Sequence, residues 1–533
     1  MLQVILRAVK LTTALAPDSR AWRVVAVLVT LIAVVAIVST YRVFNNMYDE
    51  PAHIAAGMEW LSRGTYTYEP QHPPLSRVAA AIGPYLSGER GSGYPHMYTE
   101  GRLILGRGEH YERVLTLARL GALPFFLILA FTPWYWARRL SDERTAALAV
   151  FFVAANPNIL AHAGVAGTDL GPAALMPAAL LTWTLWLERP STGRSLFLGL
   201  IVALCGLTKF NAIAYWLPAA IAVALFTVFS SRRDLLWLGG LKLARPLLLA
   251  VLVAAFVTWA LYRFSVGPVG GLTLPAPEFF SGLEAFFRHG TGGHPSYLFG
   301  RVRLGGWWYY DLVVLLVKTP IPPLLLGGLG TWLVLREAAS GKRAESMALV
   351  FGIGSVLLIA TLTPVDLGVR LLLAIYPPLA VLAAIGFRWA WERARNASTR
   401  FAMAALLGWT ILEPVTTHPD YIAYFNQFAG AEPERVLVDS NLDWGQDLYR
   451  LREASKALHM DSLRVHYFGT AEFSAIGLDR TRRLKPNERA TGWVAASETF
   501  YAGVWADSAL HWLHAFRPVA RVGRSIRLYY IKP

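Results

Sequence analysis

Apolar residues run almost unbroken from Val24 to Val38, and comparable runs recur as far as about residue 414. Stretches of 18 or more residues this poor in charge have the length and composition of bilayer-crossing helices. The pattern predicts about eleven spans, near 22–39, 114–134, 145–160, 171–187, 196–210, 212–230, 246–263, 312–334, 346–363, 370–387 and 401–414. Before them, residues 1–16 alternate apolar positions with Arg7 and Lys10, which predicts a short helix lying on the membrane surface. The first span lies too far from the start, and lacks the small-residue pattern, of a cleaved signal peptide; it reads as a retained signal anchor.

After residue 414 the period changes. Val436-Leu437-Val438, a helical stretch from Asp447 to Leu458, and Leu463–Tyr467 read as strand, helix, strand. Further strands are expected at 492–496 and 519–531, with a helix near 509–516. The chain is thus predicted to be a polytopic α-helical membrane protein with a small α/β domain at its C-terminal end. Its division is 1–21 as a cytoplasmic segment, 22–414 as the transmembrane domain, and 415–533 as the extracytoplasmic α/β domain.

Composition agrees with that class: 55% of residues are hydrophobic and 16% charged, against about 25% charged in a soluble domain. The net charge of +15 then fixes an orientation. With the N-terminus in the cytoplasm, the inner segments hold +12 of it and the tail after Pro414 holds +2. This is the positive-inside pattern. It accounts for the basic character and leaves no cluster for nucleic acid. Outside lie residues 41–113, 161–170, 264–311 and the tail, facing the periplasmic side of what reads as a bacterial inner membrane. The single cysteine, Cys205, allows no intramolecular disulfide.

The chemistry is sought in those outer segments. Asp49 and Glu50 follow the first span by about ten residues and start a helix to about Ser62, with Pro51 in its first turn. His53 shares a face with Asp49. Asp49 and His53 could hold a metal only with further ligands, so no cofactor is assigned. In Gln71-His72-Pro73-Pro74-Leu75 two prolines fix an extended turn before an apolar stretch, 78–86, suited to the interface. Asp169 stands at the outer start of the fourth span, as an N-cap and at the membrane level of Asp49. Lys209 and Arg370 lie at the outer surface; each can snorkel to headgroups or grip a phosphate. Lys318 lies deeper in the eighth span. The glycines of 290–293, ahead of the aromatic run 307–310, suggest a loop able to close over a ligand.

Taken in order, Asp-Glu-Pro-Ala-His, His-Pro-Pro-Leu, Gly-Leu-Thr-Lys-Phe-Asn, Gly-His-Pro-Ser-Tyr-Leu, Gly-Trp-Trp-Tyr-Tyr and Val-Asp-Ser-Asn-Leu-Asp-Trp-Gly-Gln-Asp resemble a known family. The chain is similar, from about residue 40 to about 450, to bacterial membrane glycosyltransferases of the GT-C fold, glycosyltransferase family 39 type. These are relatives of the protein O-mannosyltransferases and the lipid A aminoarabinose transferases. The resemblance implies a polyprenyl-phosphate sugar donor and a protein, lipid or glycan acceptor on the outer face. It implies Asp49 as catalytic base and Asp169 as the second acid, with Lys209 and Arg370 at the phosphate. Glu50, His53 and His72 complete the expected substrate site. Related sequences carry an acid after the Tyr-Leu-X-Gly stretch; this chain has Arg301 there, so that position receives no role.

Elementary chemistry leads the same way. A phosphate leaves as a stabilised anion that fixed cations can hold, so one carboxylate suffices to deprotonate the acceptor. The expected reaction is a single displacement with inversion. The rival reading is a lipid or solute transporter. Transporters concentrate ionisable groups near the bilayer midplane, whereas the acids here cluster in outer loops.

Overall fold

The computed structural model describes residues 19–230, 241–338, 344–485, 487–505 and 507–532; the surface helix expected over 1–16 lies outside them. Each expected span falls on helix, but the helices are not eleven simple rods. Among the described residues, seven are long and apolar enough to cross a membrane, or up to nine if two bent pairs count as one span each. One pair, Glu143–Ala154 with Pro157–Ala163, bends by 66°. The other, Tyr310–Lys318 with Ile321–Ala338, bends by 116°. Both breaks have a proline as cause: Pro157 opens the second helix of its pair, and Pro320 stands in the gap of the other. Thr192–Thr208 is apolar but short, and Ala397–Thr417 does not meet the same test of length and hydropathy.

The exposed flank of the helix Ser19–Ser39, with Ile32 and Val35 each 69% exposed, is what a lipid-facing helix presents. Leu170–Glu188, by contrast, is buried nearly all round and forms the axis of the main core. The segment expected at 41–113 is itself helical: Glu50–Arg63, Pro74–Leu86 and Met97–Leu105 pack together outside the first span. In Pro74–Leu86 the face bearing Val78, Ala80 and Ala81 is buried, while Ile82 and Leu86 stay exposed.

The segment from the glycines of 290–293 to the aromatic run at 307–310 is not one open loop. The helix Pro277–Gly292 takes up its first glycines, and an antiparallel hairpin, Pro295–Leu298 with Arg301–Leu304, follows. The C-terminal region holds a mixed five-stranded sheet in the order Thr481–Arg483, Leu463–His466, Gly492–Ser497, Ile526–Ile531, Ala520–Val522. Its helix Leu448–Ala457 matches expectation. The strand expected at 436–438 is absent from the sheet. Its residues are apolar because Leu437 buries in the transmembrane core and Val438 packs on Tyr297. Periodicity cannot tell that burial from a sheet's.

Residues 421–447 are stitched both to the helices and to the C-terminal region, where Asp443 accepts the Thr499 backbone N–H at 2.9 Å and Asp447 those of Arg524 and Ser525 at 3.0 and 3.1 Å. Asn426 donates from its amide to the Leu316 and Thr319 carbonyls, both at 2.6 Å. Asn45 receives the Leu448 backbone N–H at 2.8 Å on its side-chain oxygen, and the Tyr48 backbone N–H donates to the Trp444 carbonyl at 3.0 Å.

Candidate functional site

A cavity of about 800 Å³ opens where the helix Glu50–Arg63, the bundle and the 439–505 region meet. Asp49 reaches it by a local accident of capping. It is the N-cap of Glu50–Arg63, yet makes no side-chain cap hydrogen bond. Pro51 in the first turn removes one N–H that a cap would serve, and the carboxylate turns to the cavity instead. There Oδ1 accepts from the Tyr98 hydroxyl at 3.2 Å and Oδ2 from Arg370 Nη1 at 3.2 Å.

Arg370 is the second residue of the short helix Val369–Leu372. Its guanidinium lies over the Trp444 ring, 4.9 Å from the centroid, and its Nε is buried with no hydrogen-bond partner among the described residues. Asp169 also caps a helix without a cap bond. It binds Lys209 Nζ at 2.6 Å, Lys209 being the extended residue between two helices. Burial works against the Asp169 charge, but Lys209 and then Arg370 hold its carboxyl below the usual carboxylate range. Two carboxylate–cation pairs therefore face one space.

Beside them runs a second polar group. Arg77 donates from Nε to His53 Nδ1 at 3.3 Å, from Nη1 to the Tyr66 hydroxyl at 3.1 Å, and pairs with Glu69. Glu69 also meets His72 Nδ1 at 3.0 Å. Burial first, and Arg77 next, push the His53 imidazole down, so it is neutral at pH 7 and accepts from Arg77. Burial also lowers His72, against the pull of Glu69. Glu69 is raised by burial, but Arg77 and His72 overcome this and leave it ionised.

Of the residues expected at the site, Asp49, His53, His72, Asp169, Lys209 and Arg370 all line the cavity. Glu50 does not. It is fully buried and points the other way, pairing with Arg119 at 2.8 and 2.9 Å and accepting the Met47 and Ala166 N–H groups at 2.7 and 2.8 Å. Lys318 is also withdrawn, donating to the Ile422 and Asn441 carbonyls at 2.9 and 2.7 Å under the Phe425 ring. Residues that sequence reasoning missed are Glu69, Arg77, Tyr98, Asn211 and Trp444. Trp444 stood within a quoted motif. Arg77, three residues past Pro74 at the head of an apolar stretch, was a legible oddity. Among the described residues no three His, Cys, Asp or Glu side chains gather as a metal ion would require.

One wall of the cavity is apolar. Ala214 and Tyr215 of the helix Phe210–Ser230 face Ile359 and Leu362 of Ala344–Leu362. The arrangement offers cations to an anion, carboxylates to a hydroxyl or amine, and a greasy channel to an alkyl chain.

No protein-family model matches the chain, and no curated protein does. Solved structures do match. ArnT from Cupriavidus metallidurans in the apo state is 14% identical, with 94% of this chain and 97% of that one covered and a TM-score of 0.50. The same protein bound to undecaprenyl phosphate is 15% identical over the same shares, with a TM-score of 0.51. The archaeal oligosaccharyltransferase AglB from Archaeoglobus fulgidus, in complex with an inhibitory peptide and a dolichol-phosphate, is 14% identical over 95% and 74%, with a TM-score of 0.45. At such identities the likeness to ArnT is one of fold.

Proposed function

We propose that this chain is a membrane glycosyltransferase of the GT-C type. It moves a sugar from a polyprenyl-phosphate carrier to an acceptor on the extracytoplasmic face of a bacterial inner membrane, with its N-terminus in the cytoplasm and residues 415–533 outside. The observation that carries this reading is the pairing of Asp49 with Arg370 and of Asp169 with Lys209 around one cavity with an apolar wall. The fold shared with ArnT, one of whose structures holds undecaprenyl phosphate, supports a donor of that kind.

The carrier's phosphate sits between Arg370 and Lys209, and its polyprenyl chain follows the apolar wall. Asp49 takes the proton from the acceptor's hydroxyl or amine as its lone pair attacks the anomeric carbon. A carbon–oxygen or carbon–nitrogen bond forms there, the bond from that carbon to the phosphate oxygen breaks, and its electron pair leaves on polyprenyl phosphate. A single displacement inverts the centre. Arg370 and Lys209 stabilise the leaving charge, Asp169 holds Lys209 in place, and His53 and His72 offer neutral partners for sugar hydroxyls. Glu50 serves the fold.

Membranes given labelled polyprenyl-phosphate sugars should transfer label with the wild type. Asp49→Asn should reduce the rate by about 10²–10⁴-fold, the weight of a general base. Undiminished transfer by the variant would remove Asp49 as base, and a retained anomeric configuration would exclude the single displacement. Movement of the lipid without transfer would favour the transporter.

A further inference from the structure

We infer that Arg370 guards Asp49: its guanidinium holds the carboxylate, and arrival of the donor's phosphate draws it off and frees the base. This rests on the donor reading above and adds an order of events to it. Three features of Arg370 carry the inference.

The first is an ion pair of limited quality. Arg370 Nη1 meets Asp49 Oδ2 through one contact of 3.2 Å, longer than the about 2.7–2.9 Å of a well-formed charged hydrogen bond. The neighbouring Lys209–Asp169 contact is 2.6 Å, so of the two pairs Arg370's is the one poised to change partner. The second feature is unused capacity. Arg370 Nε is buried and, among the described residues, unpartnered, and an orphaned buried N–H is costly to maintain. The edge formed by Nε and a terminal nitrogen is the edge that grips phosphate in bidentate fashion. One oxygen of Asp49 does not use it. A phosphate satisfies the orphan and the fork together.

The third feature is a rail. The Trp444 ring lies under the guanidinium, at 4.9 Å. An aromatic face holds a cation without a directional bond, so the head group can swing between partners while staying over the ring. Asp49 meanwhile retains the Tyr98 hydroxyl on its other oxygen, which fixes its position when Arg370 departs. The base is thus neutralised until a donor is present, and the donor binds before the acceptor is deprotonated.

A double-mutant cycle of lipid binding tests this. Radiolabelled farnesyl phosphate is titrated onto the purified full-length protein, wild type, Asp49→Asn, Arg370→Gln and the double variant, each checked by its unfolding midpoint. Arg370→Met replaces Arg370→Gln if the latter does not fold. The guard predicts that Asp49→Asn binds about tenfold more tightly, within the usual range of coupling between sites, because phosphate no longer competes for Arg370. With Arg370 removed, the same substitution should change affinity by less than about twofold. An equal gain in both backgrounds overturns the guard, since it shows only that Asp49 repels the phosphate; no gain in either overturns it too. Farnesol, which lacks the phosphate, should bind all four proteins alike, and an Asp49-dependent gain with farnesol would also overturn it. Failure of the wild type to bind farnesyl phosphate overturns the donor reading itself, a result separable from all the others.

Discussion

Two adjacent carboxylates, Asp49 and Glu50, should have opposite phenotypes, and Glu50→Gln is the sharper test. Glu50 accepts four hydrogen bonds, two from Arg119 and one each from the Met47 and Ala166 backbones. Arg119 in turn donates to the Tyr41, Phe44 and Asn45 carbonyls at 2.6, 3.0 and 2.9 Å. The pair therefore ties the segment after the first span to the helix Gly108–Leu120 and to the turn before Asp169. An amide at position 50 turns its NH₂ against N–H donors on one side and leaves Arg119 buried without a counter-charge. Breaking one partner of a buried pair costs about 3–5 kcal/mol, so Glu50→Gln should lower the unfolding midpoint and the yield of folded protein in detergent. Transfer per folded molecule should stay within severalfold of wild type. Glu50→Gln combined with Arg119→Leu should recover part of the loss, because no buried charge is then stranded. Asp49→Asn, at the cavity, should leave the midpoint nearly unchanged. A Glu50→Gln protein with normal midpoint and abolished transfer would refute this division of labour.

Lys318→Met should destabilise by about 1–3 kcal/mol for each carbonyl it strands, read as a lower midpoint with transfer per folded molecule retained. Gly57→Ala would put a methyl 2.0 Å from the Arg77 carbonyl and 2.7 Å from the Ala81 methyl; overpacking of about 1–3 kcal/mol, read by unfolding, should come with weakened transfer as Arg77 shifts against His53. The pH dependence has a definite sign. His53 and His72 are pushed below their unfolded value of about 6.5 by burial, with Arg77 facing both. The folded chain then binds fewer protons than the unfolded one, so stability falls as pH drops below about 6.5. The midpoint should decline from pH 7.5 to 5.5, and His53→Gln with His72→Gln should flatten that decline.

The spans were readable because lipid demands long apolar helices, and charge asymmetry set the expectation of which segments face outward. Asp49, Lys209 and Arg370 were readable because ionisable residues beside apolar runs need a reason. Direction was not. Asp49 and Glu50 are neighbours, yet one faces the cavity and the other the core, a choice made by Arg119 far along the chain. The place of Lys318, deeper in its span, is explained only once its two carbonyl partners, from 422 and 441, are known. Tyr98 and Trp444 reach the site only through tertiary contacts, which no local pattern encodes. The apolar triplet at 436–438 misled for the same reason: its burial is against helices, not in a sheet.

The ties between Asn45 and Leu448, and between Tyr48 and Trp444, have a consequence for biosynthesis. The first joins residues 403 apart. At about 5–20 residues per second, a ribosome needs roughly 20–80 seconds to supply the second partner. For that interval the segment carrying Asp49 is already made, but the side of its cavity that Trp444, Phe468, Phe500 and Trp505 supply does not yet exist. A nascent chain inserted up to its last helix is therefore an inert intermediate, and competence arrives late, when the far end of the polypeptide returns to close the beginning.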